Sequence, residues 1–204
     1  MTETTIYLVR HGQIDANVDR RWFGSTDSNL NAQGLQQADR LTALFQEQYP
    51  AITASYSSPL KRTMRTAKGV TGDFFGPASA HPGLREYAIG ELEGTHFDVL
   101  HAEHQFFDKI AADADYAPGG GESVNQVRDR MLVTLEELRV RHVGEEIAVI
   151  SHGAAMAIAL ATLLKGSAYP FNDYHMDNTG VSKLVLGKTP KLVFFNRITH
   201  LEGL

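Results

Sequence analysis

The stretch Ile6-Tyr7-Leu8-Val9-Arg10-His11-Gly12 decides the fold, because an apolar run of strand length ends directly at an arginine and a histidine. A second stretch of the same design, Ile147-Ala148-Val149-Ile150-Ser151-His152-Gly153, lies far along the chain. In an open α/β sheet, ligands bind at the carboxyl ends of the strands. We therefore expect His11 and His152 to share one pocket.

The composition limits the classes of partner. The chain has 204 residues, of which 43% are hydrophobic, and this fits one globular domain with a sizeable core. Its net charge of −5 argues against nucleic acid or an anionic membrane as the partner. There is no cysteine, which excludes disulfides and thiolate chemistry. The first residues lack the pattern of a signal peptide and residues 154–164 are too few to span a bilayer, so we expect a cytoplasmic protein.

Strand and helix patterns alternate along the chain. Strands are predicted at residues 5–9, 54–57, 147–150, 181–186 and 192–195. Two helix faces are predicted by apolar spacing: Leu35, Ala38, Leu41 and Phe45 on the first, and Val124, Val127, Met131, Leu135 and Leu138 on the second. Such alternation predicts an α/β fold with a mostly parallel central sheet that is covered on both faces.

The chain has no evident linker, and we predict one domain over residues 1–204. Residues 77–118 break the alternation and are predicted to form an excursion that covers the active site, with a helix near residues 97–110. Three aromatic residues of this excursion, Phe106, Phe107 and Tyr116, could line the pocket and favour a partly apolar leaving group. They could equally be helix core, and the sequence leaves both interpretations open.

The Arg10-His11-Gly12 triplet suits phosphoryl chemistry. A neutral imidazole can attack phosphorus, a guanidinium can hold two phosphate oxygens, and a glycine lets a ligand approach the backbone. Asn17 could add a neutral donor to the same oxygens. The alternative is a strand-end histidine that is bonded to the backbone.

Other candidate residues follow two further strands and a loop. Arg62 follows the second strand at a predicted helix N-terminus, which suits an anion, although a solvated basic helix face is the alternative. His152 could stabilise charge during phosphoryl transfer, and Gly153 lies at the start of a helix. A carboxylic acid must protonate the leaving oxygen, and chemistry alone does not choose among Glu86, Glu91 and Glu93.

A metal site is not expected. His101 and His104 lie on adjacent turns of a predicted helix, but neither a cysteine nor a clear set of carboxylates completes a site around them. We expect this pair to belong to an exposed polar face, and we expect no metal or other cofactor.

Together these residues resemble the histidine phosphatase superfamily, which includes the cofactor-dependent phosphoglycerate mutases. The resemblance rests on ordered motifs: Leu8-Val9-Arg10-His11-Gly12-Gln13 with Asn17, Gly24-Ser25-Thr26-Asp27, Ser57-Ser58-Pro59-Leu60-Lys61-Arg62-Thr63, the Glu86 segment, Gly121-Glu122-Ser123 and Ser151-His152-Gly153. It implies a three-layer α/β/α sandwich without metal.

The resemblance also assigns roles. It implies that His11 is the phosphorylated nucleophile, that Glu86 is the proton donor, and that Arg10, Arg62 and His152 form the phosphate pocket. It places Phe23 and Gly24 on a loop over the substrate. With Asn17 and Gly153, these complete the expected substrate-binding residues.

Departures from the mutases favour hydrolysis. Mutases have a tyrosine three residues after the proton donor, where this chain has Ile89, and an arginine pair further on, whereas residues 105–118 contain no arginine. We therefore expect a metal-independent phosphomonoesterase that hydrolyses a small phosphorylated metabolite through a phosphohistidine on His11. The alternatives are a phosphoglycerate mutase and a catalytically idle phosphoprotein-binding module. The expected partner is a small phosphate ester, with neither nucleic acid nor membrane, and a homodimer is the candidate assembly.

Overall fold

A six-stranded sheet forms the centre of the protein in a computed structural model that describes residues 3–71, 76–169 and 171–204. Residues 1–2, 72–75 and 170, which the predicted domain includes, lie outside the described residues. The strands are β1 (Thr4–Arg10), β2 (Ile52–Ser57), β3 (Ser79–Ala80), β4 (Glu146–Ser151), β5 (Val181–Leu186) and β6 (Lys191–Arg197). Their order in the sheet is β3-β2-β4-β1-β5-β6.

The pairing of β1 with β4 positions the two histidines. These strands run parallel, and Arg10 lies opposite Ser151, so His11 and His152 directly follow neighbouring positions. The β2–β3 and β2–β4 pairs are also parallel, whereas β5 runs antiparallel to both β1 and β6. The expected α/β fold with a mostly parallel sheet is confirmed.

Helices cover both faces of the sheet. The described helices are α1 (Asp15–Val18), α2 (Ala32–Gln48), α3 (Lys61–Thr71), α4 (Phe97–Ala102), α5 (Phe106–Ala112), α6 (Val124–Arg141) and α7 (Gly153–Lys165). Because side chains alternate along a strand, Ile6 and Leu8 pack with α6 and α7, while Tyr7 and Val9 pack with α2 and α3. The result is three layers with an apolar core on each side.

Local signals explain where two of the long helices begin. The Asn31 side chain accepts a hydrogen bond from the Gly34 N–H at the start of α2. Ser123 and Gln126 form a capping box at the start of α6. Each cap satisfies backbone donors that have no partner inside the helix.

The excursion differs from its prediction. The helix expected near residues 97–110 is two helices, α4 and α5, separated by Gln105 in the left-handed region at φ 49°. In an unbroken helix, Phe106 would point roughly 120° away from Leu100 around the helix axis. The break lets both side chains become fully buried in the core.

A second correction concerns α2. Leu35 was expected on the inward face, but it is 38% exposed, whereas Ala38, Leu41 and Phe45 of the same predicted face are fully buried. Leu35 lies in the first turn of the helix, at the edge of the area that α2 covers. The two-residue strand β3 was not predicted, because so short a segment carries no pattern.

No helix among the described residues is both long enough and apolar enough to cross a bilayer.

The assignment of Leu41 to the buried face of α2 and of Leu35 to its exposed edge can be tested by changing each leucine to alanine. Leu41→Ala should lower the free energy of unfolding by about 2–5 kcal/mol, because it leaves a cavity in a fully packed core. Leu35→Ala should cost less than about 1 kcal/mol, because much of that side chain is already in water. Urea denaturation of the two variants measures the difference, and equal losses would contradict the assigned faces.

Candidate active site

His11 is held as a neutral imidazole with one defined free nitrogen. Its Nδ1 lies 2.7 Å from the Gly12 carbonyl oxygen. A carbonyl can only accept, so Nδ1 carries the proton and Nε2 keeps its lone pair. Burial, together with the charges of Arg62 and Arg10, holds the pKa of His11 well below its ordinary value. His11 is therefore prepared to act as a nucleophile rather than as a cation.

Arg10 retains donors for an anion. Its Nη1 donates to the Met176 carbonyl at 2.6 Å and lies 3.4 Å from His175 Nε2, while its Nε is buried and has no partner within the described chain. Gly153 lies against this guanidinium: a Cβ there would be 3.4 Å from Nε and 3.6 Å from Cζ. These are ordinary contact distances, so Gly153 packs closely beside the guanidinium, although an alanine would also fit.

Glu86 is oriented by the backbone of α7. Its carboxylate accepts N–H bonds from Tyr87 at 2.8 Å, Ala154 at 3.1 Å and Ala155 at 2.8 Å. The last two donors belong to the first turn of α7, where helix N–H groups lack internal partners. This geometry fixes one carboxylate at the cavity that also contains His11.

Arg130 of α6 holds the main chain that carries Glu86. Its guanidinium donates to the carbonyls of Gly83, Arg85 and Glu86 at 2.7–3.0 Å. It also forms two bonds with the Glu122 carboxylate, at 2.6 and 2.9 Å. The position of Glu86 is therefore fixed at both its side chain and its backbone.

Arg62 is fully buried, and its guanidinium holds the loop of residues 23–26 by donating to the backbone carbonyls of that loop. It donates to the carbonyls of Phe23 at 3.1 Å, Gly24 at 2.9 Å and Thr26 at 2.8 Å. It lies in the first turn of α3, as its position after a strand predicted. Burial lowers its pKa, and Glu86, Asp27 and Glu93 oppose that effect.

Glu93 holds the same loop through its N–H groups. Its carboxylate accepts from the backbone N–H of Gly24, Ser25 and Thr26 at 2.9–3.2 Å, and from the Thr26 hydroxyl at 2.8 Å. A side chain on Gly24 would overlap the Tyr87 carbonyl oxygen. Glu93 is thus a structural group of this loop, while Glu86 is the glutamate of the three candidates that lines the cavity.

His152 is linked to both Arg62 and His11. Its Nδ1 accepts from Arg62 Nε at 3.2 Å, so its proton is on Nε2, which lies 2.9 Å from Ser58 Oγ. Its ring centroid lies 5.2 Å from that of His11. Burial and the charge of Arg62 hold its pKa well below the ordinary value. His152 is therefore a neutral hydrogen-bond donor next to the nucleophile.

A cavity of about 550 Å³ joins most of the predicted residues. Its walls include Arg10, His11, Asn17, Phe23, Glu86 and Gly153. Gly24, Arg62 and His152 do not line this wall; they lie directly behind it, in contact with residues that do. Of the three aromatic residues in the excursion, Phe107 lines the cavity, Phe106 is fully buried in the core and Tyr116 packs against that core.

His101 and His104 do not belong to a metal site within the described residues, where no group of three or more histidine, aspartate or glutamate side chains is placed to hold an ion.

Sequence reasoning missed Asn178. Its Nδ2 donates to the His11 carbonyl at 2.9 Å and to Asn17 Oδ1 at 3.2 Å, and it lines the cavity. Thr179, in the left-handed region at φ 57°, donates its N–H to the carbonyls of Arg10 and His11. The available signal was the polar stretch just before the strand at residues 181–186. It points to the site only once β5 is known to run antiparallel to β1.

Comparison with known proteins identifies the class. Residues 6–197 match the family model of the histidine phosphatase superfamily (branch 1). A metal-independent phosphoserine phosphatase of Arabidopsis thaliana is 33% identical over 81% of this chain and 71% of its own. A probable phosphoglycerate mutase, GpmB, of Photorhabdus laumondii is 34% identical over 97% of this chain and 94% of its own.

A solved structure agrees with these relatives. The structure of a phosphoserine phosphatase variant from Entamoeba histolytica, in complex with phosphoserine, superimposes with a TM-score of 0.87 at 26% identity, covering 97% of this chain and 99% of that one. The chain belongs to the histidine phosphatase superfamily. The expected fold and the expected class of enzyme, a phosphatase that hydrolyses phosphomonoesters, are confirmed.

Because the pKa of His11 is lowered in the folded protein, we expect the free energy of unfolding to depend on pH. The unfolded chain protonates this histidine below its ordinary pKa of about 6.5, but the folded protein keeps it neutral, so folding loses stability as the pH falls. Between about pH 7.5 and 5.5 one such group costs about 1.4 kcal/mol. His11→Asn should remove about that much of the pH-dependent loss in urea denaturation.

The exposed His101 supplies the control for this measurement. His101→Asn should leave the pH dependence of unfolding as it is in the parent protein. If His11→Asn also left that dependence unchanged, the folded protein would not be keeping His11 neutral.

Proposed function

We propose that this chain hydrolyses small phosphomonoesters in two chemical steps, with a phosphohistidine on His11 as the intermediate. One observation carries the proposal: His11 Nε2 has a free lone pair because Nδ1 is bonded to Gly12, and the same cavity contains Arg10 and Glu86. A nucleophile, an anion-binding group and a carboxyl group are the three elements that this reaction needs.

In the first step, His11 Nε2 attacks phosphorus. The N–P bond forms while the bond between phosphorus and the ester oxygen breaks. Glu86, in its acid form, gives its proton to the departing oxygen, so the product leaves as an alcohol. Among the described residues, Glu86 Oε2 accepts one backbone N–H, from Ala154, and therefore has room for this proton.

In the second step, water replaces the histidine. The Glu86 carboxylate takes a proton from water, the oxygen attacks phosphorus, and the N–P bond breaks to release phosphate. His11 returns to its neutral form and Glu86 to its acid form. The bonds from Tyr87 and Ala155 to Oε1 keep the carboxylate in one orientation for both proton transfers.

The remaining predicted residues bind the phosphoryl group or support those that do. Arg10 has an uncommitted donor at the cavity, and the amide N–H₂ of Asn17 has no partner among the described residues, while its Oδ1 accepts from Ile14 and Asn178. We assign Arg10 and Asn17 to the equatorial oxygens, where charge accumulates. His152 and Arg62 lie behind the cavity wall, and we assign them a supporting role: Arg62 supplies positive charge and fixes His152, whose ring packs against that of His11.

Hydrolysis is favoured over the mutase reaction. A mutase must hold the non-reacting end of a bisphosphorylated intermediate while that intermediate reorients. Ile89, where the mutases have a tyrosine, is fully buried in the core and does not line the cavity. The relative named as a probable phosphoglycerate mutase makes this alternative worth including in the test.

The substrates named for related proteins give the first compounds to test. Phosphoserine is a reasonable candidate, since both a relative and a similar structure are phosphoserine phosphatases. A homodimer and a cytoplasmic location stay predictions from the sequence, as does the single domain.

The proposal is tested by trapping the intermediate. Brief reaction with a ³²P-labelled monoester should give a labelled protein whose phosphate is lost in acid and retained in base, as a phosphohistidine requires. His11→Ala should lose both the label and at least about a thousandfold in turnover, because the proposal assigns the N–P bond to His11. His104→Ala, a half-buried histidine outside the cavity lining, serves as the control and should keep both.

Three results would contradict this proposal. An acid-stable label would place the phosphate on a hydroxyl group instead of on a histidine. Interconversion of 2- and 3-phosphoglycerate that depends on 2,3-bisphosphoglycerate, with little release of phosphate, would establish a mutase. A phosphoprotein-binding module would give neither label nor turnover.

The role of Glu86 is tested by changing the leaving group. Glu86→Gln keeps the hydrogen-bond acceptor oxygen but cannot supply a proton, so it should slow hydrolysis of an alkyl phosphate about 10²–10⁴-fold. It should slow p-nitrophenyl phosphate much less, because that leaving group departs without a proton. Glu91→Gln is the matched control, since Glu91 is exposed and does not line the cavity. Equal losses for both esters would remove Glu86 from the role of proton donor.

A further inference from the structure

Aromatic side chains form a large part of the cavity wall beyond the reacting groups. Trp22, Phe97 and Phe107, here called the aromatic wall, line it together with Phe23 and Phe171. Their rings pack on one another: Phe97 and Phe107 are parallel within 6° at 6.2 Å between centroids, and Trp22 lies 5.6 Å from Phe97. Phe97 and Phe107 remain only half-buried, so apolar surface stays available inside the cavity.

The aromatic wall lies on the side where the leaving group must be. Trp22 Nε1 donates to the carbonyl of Tyr87 at 3.0 Å, and the Trp22 and Tyr87 rings meet edge to face at 5.8 Å. Tyr87 directly follows Glu86, the group assigned to protonate the departing oxygen. The aromatic wall therefore lies on the Glu86 side of the cavity, where an alcohol that receives its proton from Glu86 would be.

The size and the charges of the cavity point the same way. At about 550 Å³ it has the volume of sites that bind drug-sized ligands, well beyond a phosphoryl group on two or three carbons. Arg20 is an exposed side chain already paired with Asp98 at 2.9 Å, and Arg21 is exposed and donates to the Gly94 carbonyl. Asp177 adds a negative charge to the same lining. A carboxylate on the leaving group would find weaker partners here than a ring would.

We propose that the preferred substrates are phosphomonoesters whose leaving alcohol carries an aromatic ring, and that this ring stacks on Phe107 and Phe97. The proposal rests on the phosphatase activity proposed above and specifies the chemical class of its substrate. Flat rings gain from offset or edge-to-face contact with such side chains in addition to the gain from burial.

Three primary alkyl esters test the proposal on the unmodified protein. Ethyl phosphate and 2-phenylethyl phosphate release alcohols of similar acidity, so their chemical reactivity is matched. The third ester, 2-phosphoglycolate, carries a carboxylate instead of a ring and has one methylene fewer than the phenylethyl ester. The value of kcat/KM for 2-phenylethyl phosphate should exceed those of both other esters at least about tenfold, the effect of burying one ring.

A matched pair of variants locates the effect. Phe107→Leu keeps apolar bulk but removes the flat face, and it should lower the ratio of kcat/KM for 2-phenylethyl over ethyl phosphate about threefold or more. Phe194→Leu is the control, because Phe194 is equally half-buried but lies on β6, outside the cavity lining. It should leave both rates unchanged.

The outcomes separate this proposal from the one on which it rests. If no ester releases phosphate, the proposed activity itself is wrong. If the protein releases phosphate but hydrolyses ethyl phosphate or 2-phosphoglycolate as well as the phenylethyl ester, the activity stands and the aromatic preference is overturned. A ratio that Phe107→Leu does not change would also overturn it.

Discussion

The buried charge of Arg62 is the constraint on which the rest of the site depends. A fully buried guanidinium is tolerable only if its donors are used and its charge is balanced. Three carbonyls of the 23–26 loop and His152 Nδ1 take those donors, while Glu86, Asp27 and Glu93 supply opposing charge. One side chain, Arg62, thus determines the conformation of the loop, the tautomer of His152 and the charge balance of the pocket. A lysine could supply the charge, but its single ammonium group cannot reach four acceptors in different directions.

The same charge prepares the nucleophile. After burial, Arg62 and Arg10 are the largest causes that lower the pKa of His11, so the arginines that suit a phosphoryl group also keep the imidazole neutral before it arrives. When a phosphate dianion binds, its negative charge neutralises the positive potential of these arginines, and that potential then stabilises the reacting group as the N–P bond forms. Positive charge near a histidine nucleophile is therefore not a conflict, because the attacking form is neutral and the reacting group is an anion.

Local patterns in the sequence were enough for the parts of the site that follow parallel strands. The apolar runs that end at Arg10 and Ser151 predicted two strands, and the rule that ligands bind at carboxyl ends predicted that His11 and His152 would be neighbours. The role of Asn178 was not predicted, because its position at the site depends on β5 running antiparallel to β1, which is a property of the whole sheet. The break at Gln105 was not predicted for a related reason. Burying both Leu100 and Phe106 in the core requires the helix to be interrupted, and this packing is not visible in the local sequence. The role of Glu93 depends on a loop fold that no periodicity encodes.

The cavity has two parts: one contains the groups assigned to the reaction, and the other contains the aromatic side chains assigned to the leaving alcohol. Of the groups assigned to chemistry, Arg10 and His11 stand at the end of β1, whereas Glu86 lies in the excursion, where three backbone donors fix its carboxylate and Arg130 fixes its main chain. The two rings assigned to stack on the leaving alcohol, Phe97 and Phe107, come from α4 and α5 of the excursion, which are six and seven residues long. Phosphoryl transfer tolerates little displacement of its reacting groups, whereas a stacking surface needs only shape and apolar area. The side chains of α4 and α5 that line the cavity can therefore change without disturbing the reaction, and specificity is the property that these two helices are suited to carry.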